Sequence, residues 1–136
     1  MKDFVQVKTS ELTGQALDWA VVCALNGKPM LEKAFPAVKW GESFTDAVLD
    51  GRIKPTTDWG QCGVLIDEYD IAINGGMITK EEYGTHERTY YITLRKVENG
   101  RPMICANGET RLIGVCRAIV ATELGETVMV PSILVK

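Results

Sequence analysis

Apolar and polar positions change period several times along this chain, and each change suggests an element. Phe4, Val5 and Val7 sit among polar residues and predict a first strand running to about Ser10. Leu12, Ala16, Ala20, Cys23 and Ala24 then recur at three- and four-residue spacing, which predicts a helix over about 14–25. Thr13 is suited to be its N-cap, with Leu12 packing on Leu17 as a hydrophobic staple, and Asn26-Gly27 before Pro29 suits its end. Residues 28–54 mix a short apolar set with two prolines and two glycines, so an irregular connection is expected, with a helical turn over about 44–49.

After Gly63, VLIDEYDIAING reads as a short helix running into a strand at about 69–74, closed by Asn74-Gly75-Gly76. Residues 77–87 read as a surface excursion. Tyr90 to Val97 then alternate as a β-rich strand before the turn Glu98-Asn99-Gly100, with Pro102 to Ala106 as the returning partner of a hairpin. In NGETRLIGVCRAIVATELGE, Leu112, Val115, Cys116, Ile119 and Leu124 form one helical stripe, Thr110 is a good N-cap and Gly125 a good stop. This predicts a second helix over about 111–124. Thr127 to Val130 reads as a short strand that Pro131 confines to an edge or an end. The alternation of elements gives an α+β fold: one small antiparallel or mixed sheet with about two main helices on one face, strand order open.

Composition narrows the class without naming a reaction. A chain of 136 residues, 46% apolar and 24% charged, matches one soluble globular domain spanning 1–136. At this length roughly two thirds of the unfolded surface can be buried. The net charge of −3 supplies no basic field for a phosphate backbone, which argues against nucleic-acid binding. Cys23, Cys62, Cys105 and Cys116 are widely spaced and the chain has one histidine, so neither a zinc set nor a cofactor is expected, and the thiols read as reduced and near the core. MKDFVQVKTSE has no apolar run suited to a signal peptide, and no stretch approaches the ~20 apolar residues of a membrane span.

Candidate chemistry concentrates in PTTDWGQCG. The Trp59 indole beside Gly60 and Gly63 offers a flat face for a base or sugar ring, and Thr57, Asp58 and Gln61 supply donors and acceptors. The competing reading makes Asp58 a turn cap and Trp59 a core residue. Asn107, Gly108 and Thr110 precede the free N–H groups of the second helix, and Arg111 adds a cation, so an anion could dock there; ordinary capping by Thr110, with Glu109 opposing an anion, is the alternative. His86 in GTHERTY is a general acid–base candidate against a solvated loop histidine. Asp67, Glu68 and Asp70 are magnesium candidates against a charged face, while Trp19, Trp40 and Cys116 read as packing residues.

Three blocks, VKTSELTGQALDWAVVCALNG, PTTDWGQCGVLIDEYDIAI and NGETRLIGVCRAIVATELGETVMVP, occur in an order that resembles the NinX-like family of small tailed-phage proteins. They cover about half the chain. The matching positions include Leu12, Thr13, Gly14, Asp18 and Trp19, then Thr57, Asp58, Trp59, Gln61 and Gly63, then Gly108, Thr110, Leu112, Ile113 and Val130-Pro131. The chain departs from the family pattern at Glu109, Arg111 and Val64, where prolines are favoured. The resemblance implies a phage accessory protein working in the host cytoplasm and brings no reaction or catalytic residues with it. The resulting expectation is a non-catalytic binder of a nucleotide-like host signalling or defence metabolite, using Thr57, Asp58, Trp59, Gln61, Asn107, Thr110 and Arg111. Two alternatives stay open: an interaction protein inhibiting a host replication, recombination or restriction factor, and a small metal-dependent nucleotide hydrolase. A homo-oligomer formed through Trp59 and the apolar helix stripes is a further expectation.

Overall fold

The computed structural model describes residues 3–39, 41–80, 85–94 and 104–135. Strand β1 (Phe4–Lys8) leads through a 3-10 turn at Thr9–Glu11 into α1 (Gly14–Ala24), followed by α2 (Met30–Ala34), α3 (Phe44–Leu49) and α4 (Trp59–Glu68). A meander of β2 (Ile71–Lys80), β3 (Thr85–Leu94) and β4 (Ile104–Gly108) follows, then α5 (Arg111–Leu124) and β5 (Thr127–Pro131). The fold is α+β, and both sheets are antiparallel: β1 with β5, and β2-β3-β4 in that order.

The two expected helices are the longest of the five, and both begin and end close to where local chemistry put them. Thr110 caps α5 by accepting from the Ile113 N–H at 3.1 Å. Thr13 occupies the N-cap of α1, but its hydroxyl makes no capping bond. Gly14 follows at φ +57°, a conformation that favours glycine. Both residues of the expected staple, Leu12 and Leu17, are buried in the core. The first strand stops at Lys8 rather than Ser10, because Thr9 turns inward: its N–H donates to Glu126 O and its hydroxyl to Gly125 O.

Elsewhere tertiary pairing overrides local signals. Residues 28–54 hold α2 as well as α3; Pro29 opens α2, where its missing N–H costs no helical bond. The helix expected after Gly63 starts at Trp59 and runs through both glycines, because Asp58 caps it by accepting from the N–H groups of Gly60 (2.8 Å) and Gln61 (3.2 Å). Asn74-Gly75-Gly76 does not close the next strand. It pairs with Tyr91, Tyr90 and Thr89, so residues 77–80 and 85–87 of the expected excursion belong to one long hairpin. The turn at 98–100 lies outside the described residues, while the return strand pairs with β3 from Leu94↔Ile104 to Tyr90↔Gly108. β5 ends at Pro131 and pairs with β1 from Phe4↔Pro131 to Lys8↔Thr127, bringing distant parts of the chain together.

The core joins Leu17, Val21 and Leu25 of α1 to Leu65 of α4, Ile92 of β3, and Val115, Cys116 and Ile119 of α5. Helix α5 packs on β4, β3 and α1. Two glycines permit its approach to the meander. A Cβ on Gly108 would lie 2.5 Å from the Gly114 nitrogen, and one on Gly114 would lie 2.6 Å from Ile92 Cγ1. Nothing lies within 4 Å of the corresponding position at Gly63 in α4. Gly108→Ala is therefore expected to lower stability by about 1–3 kcal/mol through overpacking. Gly63→Ala is expected to raise it by about 0.5–1 kcal/mol through helix propensity. Urea midpoints check both signs.

Candidate functional site

The start of α4 uses most of its polar groups internally. Asp58 Oδ1 takes the two N–H groups of the helix cap, and the Thr57 hydroxyl donates to Lys54 O at 3.4 Å. Gln61 clamps the preceding segment by accepting from the Lys54 N–H and donating to Arg52 O, both at 2.8 Å. Trp59 is 56% exposed, so its indole is not a core anchor. Capping explains Asp58, and the ring beside it is left on the surface.

At the start of α5, Thr110 caps the helix and the Arg111 guanidinium lies 4.5 Å from the centroid of the Tyr90 ring, a cation–π contact. The Asn107 carbonyl accepts from Arg117 Nη1 at 3.1 Å. Thr57, Asp58, Trp59 and Gln61 thus share one helix start, and Asn107, Thr110 and Arg111 another, each held by its own bonds. The backbone of His86 lies in β3 opposite Thr79. The His86 side chain, Trp40 and the Cys105 side chain fall outside what is described. Glu68 pairs with Lys33 at 3.0 Å, and no group of three or more metal-ligating side chains occurs among the described residues.

Among the described residues, at least two sizeable concave surfaces lie apart from the α4 start. The larger, about 790 Å³, is bounded by the turn after α1, by α2 and by the start of α3. Leu31, Phe35, Val38 and Phe44 give it apolar walls, and Lys28, Lys39 and Glu42 bring charge to it. The wall that includes Val38, Lys39 and Glu42 is braced by Arg52, which bonds Ala37 O, the Glu42 carboxylate and Asp50. Those hydrogen bonds hold the Glu42 and Asp50 carboxyls below the usual carboxylate range. The second cleft, about 520 Å³, includes Lys8, Ser10, Asn107, Arg117, Glu126 and Thr127. Local sequence gave no sign of the Arg52 brace. Arg117 carries a visible one, as a lone charge inside the apolar run of α5.

Trp19 is half-buried against the core, its ring centroid 6.2 Å from that of Phe4. Cys62 and Cys116 are buried free thiols, and burial holds the Cys116 thiol well above its ordinary range, as it pushes Cys23 up to about 12.

Asp18 is the buried carboxylate of α1, 5% exposed, and accepts from the Thr56 N–H at 2.9 Å. It ties the strap before α4 to α1. Burial raises its pKa from 3.8 to about 6 against the opposing effect of the Thr56 bonds. The folded chain therefore holds this proton more tightly than the unfolded chain does. The stability it brings is complete below about 3.8 and is lost as pH rises through about 6, a change of roughly 3 kcal/mol. Asp18→Asn keeps an acceptor for Thr56 without the charge. Relative to Asp18→Asn, the native chain is expected to lose stability between pH 4 and pH 7; urea midpoints offset equally at both pH values would refute the burial effect.

No helix among the described residues is long and apolar enough to cross a membrane. No curated protein matches the sequence. The family described as bacteriophage P22 NinX matches over residues 8–123, a span from the end of β1 almost to the end of α5 that includes Asp18, the α4 cap and Arg117. With the strap, the capped helices and the α5 packing all inside that span, the chain belongs to the NinX family of phage proteins.

Proposed function

We propose that this phage accessory protein is a non-catalytic binder of a small nucleotide-like molecule, acting in the host cytoplasm to sequester a signalling or defence metabolite. The observation that carries the reading is the 790 Å³ cleft beside α2, which falls within the ~300–1,000 Å³ typical of small-molecule sites. Phe44 is half-buried there and offers a ring for a base to stack on, and the buried Phe35 lines the same cleft. Lys39 supplies a cation for a phosphate. The exposed Trp59 and the 107–111 turn are a second location for the same ligand class, less favoured because most of their polar groups are already bonded within the chain.

Calorimetry of the full chain against nucleoside mono- and diphosphates, cyclic nucleotides and ADP-ribose derivatives tests the reading. Phe44→Leu keeps a large apolar side chain but removes the ring, and is expected to weaken binding by about fivefold or more. Lys39→Gln is expected to weaken phosphorylated ligands and leave nucleosides unchanged. A loss produced by Trp59→Ala alone would move the site to the start of α4, and no heat from any ligand would sink the proposal.

One observation favours an interaction protein as the second reading. Phe4, Met129, Ile133 and Val135, on the β1–β5 ribbon and the turn that follows it, are large apolar residues left exposed. A host factor recovered from lysate by the native chain and lost with Met129→Asp plus Ile133→Asp is the result this reading requires.

A further inference from the structure

We infer that the cleft formed by the end of β1, β4, α5 and the start of β5 binds a small molecule through a single oxyanion, a phosphate or a carboxylate, with Arg117 as the fixed cation and Lys8 as the mobile one. The site is separate from the cleft beside α2 and does not depend on what that cleft binds.

The argument begins with how the positive charge of Arg117 is held. The residue is 5% exposed. Its Nε donates to Leu12 O at 2.9 Å and its Nη1 to Asn107 O at 3.1 Å, so two main-chain carbonyls from opposite ends of the chain fix the guanidinium plane. Among the described residues only Nη2 faces a carboxylate, that of Glu109, at 3.5 Å, and the Glu109 side chain is itself 59% exposed. Carbonyl dipoles orient a cation but do not neutralise it, and a solvated carboxylate at this distance is screened by water. A buried cation with such weak compensation projects a positive potential into the cavity it lines. A planar guanidinium already fixed in place also loses little freedom when an oxyanion binds.

The other walls suit the same ligand. Lys8 brings a second cation from β1, and Ser10, Asn107 and Thr127 bring hydroxyl or amide groups to the cleft. The Thr9 hydroxyl is already committed to Gly125 O at 2.6 Å. The cleft volume of about 520 Å³ exceeds what a bare phosphate fills, which points to a metabolite-sized molecule. Glu126 also lines the cleft and sets the charge limit, since a carboxylate there repels a second anionic group. The ligand chemistry is thus one oxyanion on a neutral or cationic body.

Amide and Arg Nε–Hε NMR shifts of the full chain, titrated separately with inorganic phosphate, with acetate and with sodium chloride at matched ionic strength, test this. Phosphate or acetate is expected to produce saturable shifts at residues 8–10, 106–107 and 126–127 and at Arg117 Hε, and chloride is not; which of the two probes saturates first separates a phosphate site from a carboxylate site. Lys8→Gln is expected to weaken the response by about fivefold, and Glu126→Gln to tighten it by about twofold or more. Both residues are exposed, so neither substitution threatens the fold in the way that replacing Arg117 would. Shifts reproduced by chloride, or a response unchanged in both variants, would overturn the assignment.

Discussion

Arg117 bonds the carbonyls of Leu12 and Asn107, and through them one side chain of α5 joins the turn before α1 to the end of β4. Leu12 lies between the 3-10 turn and α1, and Asn107 next to the last residue of β4, so the two bonds anchor α5 at the ends of other elements. Taking a guanidinium out of water is costly, and it is tolerated here because its donors meet acceptors in fixed positions. The surrounding packing depends on the same junction. Helix α5 approaches β4 so closely that Gly108 and Gly114 leave no room for a Cβ, and Ile92 fills the space above Gly114. The β1–β5 ladder is drawn to the same place through the inward turn at Thr9.

A second set of bonds positions the strap before α4. Asp18 receives the Thr56 N–H, Gln61 takes the Lys54 N–H and gives one to Arg52 O, and Arg52 reaches outward to Asp50, Glu42 and Ala37. Separate polar contacts therefore hold one strap at Thr56, Lys54 and Arg52, from the buried face of α1 to the wall of the larger cleft. Trp59 stands beside this strap but outside the core, and the motif around it is mainly a helix cap.

The family and the α+β class were legible in the sequence because both rest on local patterns. The α5 stripe and its Thr110 cap needed no partner to be read, and the strand before Pro131 announced its own end. The glycines misled where their meaning depended on partners. Gly60 and Gly63 looked like loop residues but lie in α4 once Asp58 satisfies its first donors. Gly75 and Gly76 looked like a stop but continue β2 because β3 supplies the opposite edge. The candidate site was legible only in part: Asn107 does line a cleft, while Phe44, Arg52 and Lys8 gave no motif at all.

Preferences of short range are written along the chain: hydrophobic period, cap chemistry, and the blocks that mark the NinX family. Contacts between distant segments leave Trp59 facing solvent, carry the long hairpin through Asn74-Gly75-Gly76, and form the clefts beside α2 and around Arg117. The reason is the range of the interactions. A cap bond spans three residues, whereas the Arg117–Leu12 bond joins residues 105 apart, so its acceptor cannot be inferred from any neighbour in the chain.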